Sequence, residues 1–221
     1  MPRLKYSRLV RLVAFSMALV LAGCATVESF IGGPTLTPSP PGGEVIDPPR
    51  QIPDFTLVTQ DGEPFRFSDL AGKPALLYFG YTHCPDVCPL TLAEMRQAAE
   101  ILGPHANDIT LVFVSVDGQR DTPERLRQFL PQFGVDILGL TTTDPDELEA
   151  ATKAFDVYYE LEDVEDTQAG YLVAHTASTF LVDAAGQLRM IFAYRTPPSL
   201  LAEGLLAVLD ETTATPEPTS Q

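Results

Sequence analysis

The sequence predicts an α/β fold, a central mixed sheet flanked by helices and opened by an N-terminal hairpin. Three observations predict it. Short runs rich in β-branched and aromatic residues alternate with stretches of helical period. Two of those runs are almost continuously apolar, the pattern of strands covered on both faces. The folded part closes on two strands and a helix, an order that layers helices against a sheet.

Each element has its own signal. Residues 55–58 and 65–67, split by Asp61-Gly62, read as a hairpin. Residues 75–81 (Ala-Leu-Leu-Tyr-Phe-Gly-Tyr) form the first buried strand, and a helix follows with Leu92, Met95, Ala99 and Leu102 as its inward stripe. Residues 109–116 form the second buried strand. Thr122 then caps a helix that carries Pro123 in its first turn, where a missing N–H costs least. Residues 137–141 read as a strand and 144–155 as a helix capped by Asp144. Residues 157–161, 178–182 and 188–194 are further strands, and 198–209 a last helix. This succession fits a sandwich of the thioredoxin type.

The ends read differently. Arg3, Lys5, Arg8 and Arg11 are the only charged residues before Cys24, and an apolar run at 12–22 follows them. That run is shorter than the roughly 17–25 residues a membrane span needs, and it matches an export signal over residues 1–23. Leu21-Ala22-Gly23-Cys24 resembles a bacterial lipobox, which implies that Cys24 becomes the acylated first residue of an envelope lipoprotein. Residues 24–52, rich in Pro and Gly, read as a semi-extended spacer between lipid and domain. The domain is expected over 53–211 and a disordered tail over 212–221. The formal charge is −16, and losing the four N-terminal cations takes it to −20. Such acidity excludes nucleic acid as a partner, because phosphate binding needs the opposite sign.

If Cys24 carries lipid, Cys84 and Cys88 remain as a lone pair in an oxidising compartment. Such a pair is a disulfide, a redox couple or a set of metal ligands. The segment His83-Cys84-Pro85-Asp86-Val87-Cys88-Pro89 lies where a buried strand hands over to a helix. Four residues apart on one helical turn, the two thiols are expected to face the same way. The free N–H groups and dipole of a helix N-terminus favour thiolate, the nucleophilic form and the one that binds soft metals.

This segment resembles the Sco/SenC copper proteins, marked by Cys-x-x-x-Cys at this position. Ser115-Val116-Asp117 with Arg120-Asp121-Thr122-Pro123-Glu124 resembles a second stretch of that family. Gly139-Leu140-Thr141 and Val157-Tyr158-Tyr159 resemble a third. Tyr171-Leu172-Val173-Ala174-His175-Thr176-Ala177-Ser178 resembles its histidine segment, and the likeness covers about 53–209. The resemblance implies a thioredoxin-like domain that binds one copper ion through Cys84, Cys88 and His175. It further implies delivery of copper to the dinuclear centre in subunit II of cytochrome c oxidase or to another envelope acceptor, with reduction of the acceptor's cysteines as a related role. Two thiolates and an imidazole suit copper, whereas zinc usually takes a fourth ligand. The sequence departs from the family at Ala174, where Asp is usual, and at Gly118, where Pro is usual and only a change of turn is expected.

The alternative is an envelope thiol–disulfide oxidoreductase without a metal, in which Cys84 attacks a disulfide and Cys88 resolves the product. Against it, the spacing is one residue longer than Cys-x-x-Cys, and Thr176, Ala177 and Ser178 stand where such enzymes carry a cis-proline. His83 is a weak candidate for a fourth contact, and His105 is expected to be solvated. Asp86 is expected to favour the helix N-terminus. The acidic residues Glu160, Glu162, Asp163, Glu165 and Asp166 read either as a solvated hairpin or loop, or as a mobile loop that brings His175 to the thiols on metal loading and faces a cationic partner.

Overall fold

The computed structural model describes residues 42–163 and 170–213. The export signal, Cys24, the acidic positions 165 and 166 and most of the expected tail lie outside them.

Eight strands form one mixed sheet: β1 (Glu44–Gln51), β2 (Thr56–Thr59), β3 (Pro64–Arg66), β4 (Ala75–Gly80), β5 (Thr110–Ser115), β6 (Leu138–Thr141), β9 (Thr179–Val182) and β10 (Gln187–Phe192). Their order is β1-β10-β9-β4-β5-β6-β2-β3. β4, β5 and β6 are parallel and the remaining pairs antiparallel. Among the described residues four α-helices accompany them: α1 (Val87–Leu102), α2 (Pro123–Phe129), α3 (Pro145–Ala154) and α4 (Pro198–Thr213). A separate two-stranded hairpin pairs β7 (Tyr159–Asp163) with β8 (Tyr171–His175). The expected α/β class and thioredoxin-like layering are what the chain adopts.

β4 is buried at every residue, as its apolar run requires. Alternate side chains of a strand point to opposite faces, and two aromatic groups follow from that. Tyr78 packs near Phe113, and Phe113 meets Phe129 of α2. On the other face Phe79 meets Phe155 and Phe180, and Phe55 and Phe67 extend the cluster. Thr122 caps α2 by accepting from the Arg125 N–H, and Asp144 caps α3 by accepting from the Asp146 N–H, both as the sequence predicts.

Several boundaries differ from those expected. The spacer does not run to residue 52, because Glu44–Gln51 is a strand paired with β10. Pro48 and Pro49 hide it, and the ladder is irregular between Val45 and Arg50. An edge strand tolerates prolines because one row of its N–H groups has no partner to lose. The acidic stretch begins in a hairpin, since residues 159–163 form β7, two residues beyond the strand expected at 157–161. α4 reaches Thr213, past the expected end at 209.

Candidate metal centre

β4 ends on Gly80, and the chain turns through Tyr81, Thr82 and His83 to Cys84. A Cβ at Gly80 would fall 2.9 Å from the Tyr78 ring and 3.0 Å from Cys88 Sγ. Glycine there lets Cys88 settle against the strand end. The turn is fixed from below by Asp121, which is fully buried. Its carboxylate accepts from the Thr82 N–H (2.8 Å), the Thr82 hydroxyl (2.7 Å) and the Ser115 hydroxyl (2.8 Å). Burial pushes the Asp121 carboxyl pKa up, and these donors oppose that shift.

The two cysteines do not share a helical turn as expected. Cys88 is the second residue of α1, whereas Cys84 precedes the N-cap, Asp86. The Asp86 side chain makes no capping hydrogen bond; the Cys88 N–H donates instead to Cys84 Sγ at 3.3 Å. The sulfur of Cys84 thus occupies the acceptor position that a capping side chain would fill.

Their environments push the thiols apart. The Cys84 pKa is lowered to about 4, first by the hydrogen bond from the Cys88 thiol, with desolvation opposing and His175 and the Cys88 and Asp86 backbone assisting. Cys88 is pushed well up by that same bond and by burial, and it has no exposed surface. One group is thiolate and its neighbour a thiol. In the reduced protein, iodoacetamide near neutral pH is expected to modify Cys84 and spare Cys88. Thiolate is lost as pH falls through its pKa, so the Cys84 rate should hold level on acidification and drop only through about pH 4. Peptide mass mapping reads both, and equal labelling of the two would contradict the asymmetry.

His175 closes the group. Its Nε2 lies 3.4 Å from Cys88 Sγ, and its Nδ1 lies 3.0 Å from the Thr176 carbonyl. A carbonyl only accepts, so Nδ1 carries a proton and Nε2 is the nitrogen that faces the sulfurs. The rings of Tyr78 and Tyr81 meet the imidazole edge-on, each with centroids 5.9 Å apart. The Tyr78 hydroxyl also donates to Cys88 Sγ at 3.5 Å. A backbone carbonyl and two aromatic rings therefore orient the imidazole, the task a carboxylate at position 174 would otherwise share.

Cys84, Cys88 and His175 bring their ligand atoms within 4.8 Å of one another. No swing of a loop is needed to bring His175 to the thiols. His83 is turned away from them, its Nδ1 3.5 Å from Asp121 Oδ1. His105 is exposed and pairs with Asp108. Tyr78, Tyr81 and Thr176 were not singled out by sequence reading, because an aromatic in an apolar strand signals only core and a carbonyl has no sequence signal.

A thioredoxin-like sheet that gathers two cysteines and a histidine beyond the end of its central strand defines a soft-metal site in place of a lone thiol pair. The chain belongs to the SCO1/SenC family, whose model matches residues 44–210. The match begins at β1, upstream of the start expected from the sequence. It is similar to an SCO2-like protein of Rickettsia felis, 37% identical over 152 residues that span 69% of this chain and 74% of that protein. It superposes on copper-bound ScoI of Bradyrhizobium japonicum with a TM-score of 0.65 and 34% identity, covering 72% of this chain and 99% of the other. A SCO1/SenC family lipoprotein from Bacillus anthracis gives 0.63 at 26% identity, covering 74% and 99%.

Proposed function

We propose that this protein is a copper metallochaperone of the cell envelope, holding one copper ion as cargo with the sulfurs of Cys84 and Cys88 and Nε2 of His175. The observation that carries the reading is the convergence of two soft sulfurs and a tautomer-fixed imidazole within 4.8 Å. That donor set suits copper, and its lack of a fourth protein ligand disfavours structural zinc. Cys88 gives up its proton on loading, so uptake releases acid. Copper bound to the ScoI relative and family membership point the same way.

Delivery to the dinuclear copper centre in subunit II of cytochrome c oxidase is the role the family resemblance supports, with reduction of the acceptor's cysteines beside it. Anchoring through acylated Cys24 rests on the lipobox-like sequence and on a family member that is a lipoprotein. The rival reading, a thiol–disulfide reductase, draws on the thiolate–thiol pair. Anaerobic titration of the reduced protein with Cu(I) separates the two. One tightly bound copper per chain is expected, and no binding, or binding as weak as that of free cysteine, would leave the reductase.

A further inference from the structure

His175 is carried by a hairpin that shares no ladder with the main sheet. Two strands alone are marginally stable in water, so side chains must set where this hairpin lies. Successive residues of a strand alternate in direction, so Tyr171, Val173 and His175 face the domain together. Val173 is buried in the core. Tyr171, at the start of β8, is gripped from the loop that follows β5. Its hydroxyl donates to Asp117 Oδ1 at 2.7 Å, and its carbonyl accepts from Arg120 Nη1 at 2.9 Å. The Arg120 guanidinium lies 3.5 Å from the centre of the Tyr171 ring, and its Nε donates to Asp117 Oδ2 at 2.5 Å. The same guanidinium sits 5.7 Å from the ring of Tyr81, which flanks His175. The Asp117 side chain is 1% exposed and that of Arg120 16%. The loop thus grasps the hairpin by charge-assisted hydrogen bonds, one main-chain contact and a cation over an aromatic face.

We infer that Asp117, Arg120 and Tyr171 form a latch that holds the β7–β8 hairpin closed and so positions His175 over the two thiols. They are positioning residues, acting on the imidazole from the opposite end of its strand, and the inference rests on the reading of His175 as a copper ligand. When the latch is shut, Nε2 faces the sulfurs; when it opens, the imidazole leaves with the hairpin and two sulfurs remain. The latch therefore governs how long cargo is retained.

The test uses the full chain with Arg120→Lys and Tyr171→Phe. Lysine loses the fork and the stacking of arginine, and phenylalanine, losing one oxygen while keeping the ring, is the milder change that carries the test should the first variant fail to fold. In the metal-free reduced protein, side-chain 15N NMR of His175 should show one tautomer, protonated at Nδ1. Both variants should shift that signal toward a tautomer average. Copper loss to a chelator should quicken about 10–100-fold, the scale on which groups that orient a ligand act. In a His175→Ala background the same substitutions should add nothing. An unchanged imidazole signal, or an equal further loss without His175, would overturn the latch. If His175→Ala itself leaves copper retention unchanged, the ligand assignment falls and the NMR signal alone decides the latch.

Discussion

Replacing His175 by alanine is expected to weaken copper binding of the reduced protein by more than about 100-fold. Losing a group that merely orients a ligand costs roughly 10–100-fold, so losing the ligand itself must exceed that. The imidazole is held by the Thr176 carbonyl and by two tyrosine rings, so its lone pair is aimed before the ion arrives and little ordering remains to be done. The fold should survive, because the imidazole is only half-buried and supports no strand of the main sheet. Competition against a Cu(I) chelator of known affinity measures the loss, with His105→Ala as a matched control at an exposed histidine. Affinity equal to that of the unaltered protein would remove His175 from the ligand set.

Gly118→Ala is the substitution expected to cost most stability. A Cβ at this position would lie 1.7 Å from the Thr142 carbonyl oxygen and 2.6 Å from its carbon. Both are main-chain atoms at the end of β6. They cannot rotate away, and the Thr142 hydroxyl is itself tied to Glu147 Oε2 and to the Asp144 N–H. The substituted loop must move bodily, and that loop carries Asp117, Arg120 and Asp121. Overpacking costs typically 1–3 kcal/mol, and a backbone clash belongs at the upper end, about 3 kcal/mol. Chemical denaturation reads it, and an unshifted midpoint would mean that the close approach does not hold in solution.

What could be read in advance was what the chain writes locally. β4 announces itself as a contiguous apolar run, and the cysteines sit within eight residues of its end. Caps such as Thr122 and Asp144 act within three residues of themselves. β1 stayed hidden because its partner is more than a hundred residues away and its prolines mask its period. β7 was legible too, since Tyr159-Glu160-Leu161-Glu162 alternates apolar and acidic and a strand is expected at 157–161, two residues out of step with the observed 159–163. The latch joins Arg120 to Tyr171 across 51 positions. Each residue was noticed for its likeness to a family stretch, but only the fold shows them touching.

The unequal burial of the two sulfurs gives the centre a direction. Cys88 is sealed beneath Tyr78 with no surface of its own. Cys84 and His175 border an open trough with Pro85, Val87, Leu172 and Ala174. Among the described residues, that trough is the open side from which a ligand of another protein would reach an ion held by the three. Such a ligand would meet the ion beside Cys84 and His175, while the sulfur of Cys88 stays out of reach at the back. On the reading of the protein as a copper carrier, exchange would proceed through a shared ion, with the acceptor bound on the Cys84 side before Cys88 at the back lets go. On that reading cargo would pass from hand to hand, without being set free in water between them.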